Sequence, residues 1–170
     1  MDELIRVYRP RVFRYAMLSL RDRDLAETVT QDCFLNAFRA RDRYRGECSI
    51  STWLIKIASN LIRDHLRRRG FQFWRSASVS SIDVAAVGDR LASREISAEA
   101  RLLLQAKLGQ VWKIVDSLSL KQRTVFLLRY VEEMEVAEIA EATGLNSNTV
   151  KSHLHRALAA IRAGMNEGGA

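Results

Sequence analysis

The sequence predicts an all-α fold of two small helical domains joined by a flexible linker, and three observations carry that prediction. The 170 residues include one Pro and eight Gly, and strand-like alternation is rare. Apolar residues make up 48% of the chain, enough for packed cores, and recur at helical spacing on either side of residues 71–98. Residues 136–162 carry the pattern of a helix-turn-helix.

In chain order, Leu4 to Leu20 forms the first helix, with Leu4, Val7, Tyr8, Val12, Tyr15 and Leu18 on one stripe. Pro10 is expected to interrupt or start it, because it has no N–H to give the residue four back. Arg21 to Asp24 reads as a charged turn, with Asp24 the N-cap of a helix from Leu25 to Arg39. A loop from Asp42 to Ser51 leads into a helix from Thr52 to Arg69, capped by Ser51 or Thr52 and ended by Gly70. Trp53, Leu54, Ile57, Leu61 and Ile62 face its core side. Lys56, Asn60, Arg63, Arg67 and Arg68 lie mostly off that stripe. An amide among cations suits a phosphate backbone with a base drawn from the stack.

Residues 1–70 are therefore read as the first domain and 71–98 as the linker, rich in Ser, Ala and Val without a sustained period. Phe71, Phe73 and Trp74 are too apolar for a free tail and are expected to pack back onto the first domain, the alternative being a surface that a partner covers. The second domain, residues 99–170, opens with a helix from Ser97 or Glu99 to Leu118, with Leu103, Leu104, Leu108, Val111, Trp112 and Val115 inward. A helix from Lys121 to Val131 follows. In the helix-turn-helix, Ile139 and Ala140 point inward and Gly144 takes a positive φ in the turn. Leu145 plugs the corner, and Asn146 or Ser147 caps the last helix. Val150, Leu154, Ala157, Leu158 and Ile161 form its buried stripe. Its outward face offers Ser147, Asn148, Thr149, Lys151, Ser152, His155 and Arg156, all able to hydrogen-bond to bases or phosphates.

Charge sharpens this picture. Residues 1–70 hold 15 Lys+Arg and 9 Asp+Glu, a net of +6, whereas residues 99–170 hold 9 and 8, a net of +1. The positive field sits on the first domain and steers it toward a polyanion. The second domain is acidic along Glu132, Glu133, Glu135, Glu138 and Glu141, with cations at Lys151, Arg156 and Arg162. No apolar run is long enough to span a bilayer and the N-terminus has no signal-peptide pattern, so membrane insertion is not expected and the cytoplasm is the expected location. Cys33 and Cys48 are too few for a disulfide framework. Cys33 reads as a buried small hydrophobe, and Cys48 lies in the loop. No metal-ligand spacing, glycine-rich phosphate loop or Ser-His-Asp arrangement is present, so no catalytic residue, metal or cofactor is assigned.

Taken together, Tyr44-Arg-Gly-Glu…Ser51-Thr-Trp-Leu, Ala26 to Phe38, Leu118 to Tyr130 and the helix-turn-helix resemble the extracytoplasmic-function (ECF) class of bacterial RNA polymerase sigma factors in the sigma-70 family. The resemblance covers residues 4–69 and 108–163. It implies a transcription initiation factor that binds core RNA polymerase at its clamp coiled coil and flap and directs it to promoter DNA. The implied polymerase contacts are Gln31, Asp32, Leu35 and Asn36. The implied −10 surface is Arg45, Glu47, Ser49 and Ser51 with Lys56, Asn60, Arg63, Arg67 and Arg68. The recognition helix then reads the −35 element, and an anti-sigma protein is a partner the family commonly uses. Thr28 stands where an acid is common, Ser119 near a usual Pro, and His153 where Arg is frequent. The alternative reading is a stand-alone helix-turn-helix regulator, which would usually carry a phosphoacceptor α/β domain; residues 1–70 show no strand pattern. A small recombinase using Asp22, Asp24 and Asp64 is a weaker fit, because each is flanked by Arg and reads as an ion pair or cap.

Overall fold

A computed structural model describes residues 2–69 and 98–167. Among these residues there are seven α-helices, one 3-10 turn and no strand. The first domain comprises α1 (Asp2–Leu20), α2 (Arg23–Ala40), the 3-10 turn Arg41–Arg43 and α3 (Ile50–Arg69). The second comprises α4 (Ala98–Ser117), α5 (Leu120–Tyr130), α6 (Val136–Thr143) and α7 (Ser147–Glu167). The expected linker, the packing of Phe71, Phe73 and Trp74, and the stop at Gly70 lie outside the described residues.

Helix α1 runs unbroken through Pro10, contrary to the expected interruption. Pro10 and Arg6 are both exposed, so water can reach the carbonyl that the missing N–H leaves open. Asp22, not Asp24, caps α2, its Oδ1 accepting from Leu25 N at 2.9 Å. Asp24 instead sits in the first turn, where a negative charge favours the helix dipole. The α3 cap is likewise earlier than expected: Ser49 Oγ accepts from Thr52 N at 3.0 Å. That leaves Thr52 inside the helix with its hydroxyl available to another partner.

The first core joins Val12, Tyr15, Ala16, Val29, Cys33, Leu54, Ala58 and Ile62 where α1, α2 and α3 pack on one another. The Tyr15 hydroxyl is satisfied by Ser59 Oγ at 3.0 Å, and burial pushes its pKa up to about 12. Ile55, off the expected stripe, is also fully buried, whereas Trp53, Ile57 and Leu61 are half-buried. The reason is that α3 packs against α6 as well as α1 and α2, so more than one of its faces is covered.

The second core gathers Trp112, Val115, Val125, Leu128, Ile139, Ala142, Val150 and Ala157. Packing of α4 begins only at Leu108; Leu103, expected inward, is 59% exposed, and its neighbour Leu102 is exposed too. Ser119 and Gln122 close a capping box on α5, and Glu135 and Glu138 close another on α6. Gly144 ends α6 at φ 72°, its N–H donating to Ala140 O at 2.9 Å, and Asn146 Oδ1 caps α7 through Thr149 N at 2.8 Å. Among the described residues, nothing beyond its chain neighbours lies within 4 Å of where a Gly144 Cβ would stand, so a side chain there meets only backbone strain. Gly144→Ala should lower stability by about 1–2 kcal/mol, read by urea unfolding with an unchanged m-value.

Candidate nucleic-acid interface

The loop before α3 is tied at its base: the Tyr44 hydroxyl donates to Cys48 O at 2.5 Å, and Gly46 turns the chain at φ 75°. The Tyr44 ring lies 4.9 Å from that of Trp53, which keeps Trp53 in the packing rather than on a free platform. Arg45 and Glu47 are exposed and line a shallow depression with Asp42 and Arg43. Ser49 is exposed but occupied as the α3 cap. Ser51 is half-buried, and among the described residues its Oγ has no hydrogen-bond partner.

Farther along α3, Asn60, Arg63, Arg67 and Arg68 are exposed, with Arg63 donating to Asn60 Oδ1 and Arg67 3.6 Å from Asp64. Lys56 reaches toward Glu141 of α6 at 3.9 Å. The predicted basic surface is thus one continuous run, except that its N-terminal end at Ser51 and Lys56 meets the second domain.

On α2, Gln31 and Leu35 are exposed and Asp32 and Asn36 half-buried, one turn apart and away from the buried stripe of Ala26, Val29, Cys33 and Phe34. Phe38, not singled out from the sequence, extends this face: it is 46% exposed, as is Leu35, and Arg41 stacks over its ring at 4.3 Å. Its spacing from Leu35 could have revealed it. Two large apolar side chains held in water on neighbouring turns suit a protein partner.

On α7, Ser147, Asn148, Lys151, Ser152, His155 and Arg156 are exposed, and Thr149 is half-buried behind the cap. Positions 148, 151, 152, 155 and 156 recur at helical spacing and so share one face, a width that fits a major groove. His153 is off that face and half-buried. Burial, then Lys121 and Arg156, lower its pKa.

The cysteines differ in environment. Cys33 is fully buried, donates to Leu54 O at 3.4 Å, and burial pushes its pKa up to about 12. Cys48 is half-buried, and its pKa is raised by burial and by a hydrogen bond to Glu141. Iodoacetamide at neutral pH should therefore modify Cys48 slowly and Cys33 only after unfolding, as peptide mass spectrometry will read. Among the described residues no group of His, Cys, Asp and Glu could hold a metal ion, and no helix is long and apolar enough to cross a membrane.

A three-helix domain with a basic helix and a tied loop, followed by a helix-turn-helix domain, defines a sigma-type arrangement, and comparison with known proteins agrees. Residues 4–72 match the family model for sigma-70 region 2, and residues 108–161 match that for sigma-70 region 4. The ECF RNA polymerase sigma-E factor of Escherichia coli strain K12 is 33% identical over 134 residues, 78% of this chain and 70% of that protein. The ECF RNA polymerase sigma factor SigW of Bacillus subtilis strain 168 is 24% identical over 160 residues, 94% of this chain and 86% of that one. Among solved structures, the Bartonella quintana sigma factor RpoE, crystallised with the anti-sigma factor NepR, superposes with a TM-score of 0.72 at 20% identity, covering 97% of this chain and 96% of that one; this likeness concerns the fold. The chain belongs to the ECF RNA polymerase sigma factors, and it directs polymerase to promoters.

Proposed function

We propose that three surfaces divide the work of initiation. The α2 face of Gln31, Asp32, Leu35 and Asn36, enlarged by Phe38, docks on the polymerase clamp. The loop Arg45–Ser51 and the exposed face of α3 receive the −10 element, with Asn60 contacting an extruded base and Lys56, Arg63, Arg67 and Arg68 the phosphates. The α7 face reads the −35 element as duplex. The chain acts in the cytoplasm, performs no catalysis of its own, and is a target for an anti-sigma protein, which would cover the exposed Leu35 and Phe38.

The observation that carries this reading is the pairing of one exposed apolar face with two separate polar nucleic-acid faces on the same chain. Unstacking a base costs a few kcal/mol, and a shallow loop pocket with few exposed aromatics offsets little of it alone. Two modest DNA modules gain strength only when a third body fixes their spacing, because each then raises the other's effective concentration. The isolated protein should therefore bind promoter duplex weakly, while its complex with core polymerase initiates specifically. Gel-shift and run-off transcription measure both. Tight sequence-specific binding by the free chain, without polymerase association, would instead support the stand-alone regulator.

A further inference from the structure

The arginines of α1 fall into two sets. Arg6 pairs with Glu3 and Arg9 with Glu27, both inside the first domain. Arg11 and Arg14 have no carboxylate there among the described residues; each turns to Glu132 of the second domain. Arg11 Nε donates to Glu132 Oε2 at 2.8 Å, and Arg14 Nε and Nη2 donate to Oε1 and Oε2 at 3.0 and 2.9 Å. Arg11 Nη2 also donates to the Glu132 carbonyl. Four guanidinium nitrogens thus converge on one residue, whose side chain is fully buried.

This pair sits beside the −10 loop. Arg11 lines a cavity of about 270 Å³ together with Ser49, Ser51, Thr52 and Glu132. The Ser51 Oγ has no hydrogen-bond partner among the described residues. A strand that reaches Ser49 and Ser51 therefore enters the space that Glu132 fills. Displacing Glu132 leaves two half-buried cations one helical turn apart, which repel each other unless another anion takes its place. A phosphate is suited to that place, because like a carboxylate it offers two oxygens to a guanidinium fork.

We propose that Arg11 and Arg14 form a phosphate seat for the promoter strand beside the −10 loop, a site on α1 outside the basic face of α3. The proposal rests on the −10 assignment above.

The test uses holoenzyme, the full chain on core polymerase, and a genomic promoter fragment selected by run-off transcription and pre-melted across −10. Arg11→Gln and Arg14→Gln, singly and together, should weaken binding of this fragment, the double variant roughly tenfold or more. In the double variant the slope of log affinity against log salt should become shallower by about 0.7–1.4, one or two single-strand phosphate contacts at ~0.7 each. Arg6→Gln/Arg9→Gln removes the same charge from the same helix and should leave the slope unchanged. A methylphosphonate scan of the non-template strand locates the contact: at least one substitution near −10 should cost the wild type affinity and cost the double variant nothing. Affinity for core polymerase should stay the same. Wild-type salt slopes in all the Arg11 and Arg14 variants, or an equal change in Arg6→Gln/Arg9→Gln, overturn the proposal. Loss of core polymerase affinity also overturns it, by placing an acidic protein surface on these arginines instead. Each single substitution leaves Glu132 one arginine, which keeps the comparison decisive if the double variant misfolds. The −10 assignment fails separately, by normal promoter opening in the Asn60 and loop variants described below.

Discussion

Asn60→Ala, and separately a replacement of Glu47–Ser49, should sharply reduce open-complex formation while leaving polymerase binding intact. Asn60 is exposed on α3, and among the described residues its Oδ1 takes only the local Arg63 contact, which a base edge can displace. An amide makes two hydrogen bonds to one base edge, and Ala makes none, a loss of roughly 1–3 kcal/mol or about fivefold to 150-fold. The loop acts differently, by lining the place into which the base is extruded. A pre-melted −10 bubble should therefore rescue much of the loop defect but not that of Asn60→Ala, because the base must still be read in the single strand. Permanganate footprinting and run-off yield on duplex and bubble templates check this. Normal opening of duplex by both variants would move the −10 role elsewhere.

The second large effect belongs to α7. Arg156→Ala should weaken binding across most sequences, because a guanidinium nearly three turns from the cap is placed for phosphate and not for a particular base. Asn148→Ala and Lys151→Ala, in the first turns and fully on the exposed face, should instead relax preference at individual −35 positions by roughly 1–3 kcal/mol each. Selection of bound −35 variants by the holoenzymes, read by sequencing, distinguishes the two behaviours. Unchanged selectivity in all three variants would remove α7 from the groove.

Local signals in the sequence went far toward this picture. Gly144, Asn146 and Val150 mark a turn, a cap and a buried stripe that depend on residues a few positions apart, and all three take the expected roles. Errors arose where local signals compete or where distant packing decides. Asp22 and Asp24 both suit a cap, as do Ser49, Ser51 and Thr52, and the choice follows from which residue the first turn leaves extended. The burial of Ile55 depends on α6, and Glu132 finds Arg11 across 121 positions of sequence. No periodicity encodes such a pairing; only the acidic run Glu132–Glu141 beside a net positive first domain hinted at it. Leu102 and Leu103 continue an apolar pattern beyond the point where α4 packs on another described element.

This chain brings polymerase to promoters and carries two separate sigma regions. The most direct measurement is run-off transcription with core polymerase on a library of genomic fragments, with start sites read by sequencing. Starts should appear only when the chain is added, each preceded by two recurring motifs at a narrow spacing, and Asn60→Ala and Asn148→Ala should each blur a different one. Starts no more numerous than with core polymerase alone, or a single motif eroded by both substitutions, would contradict the account.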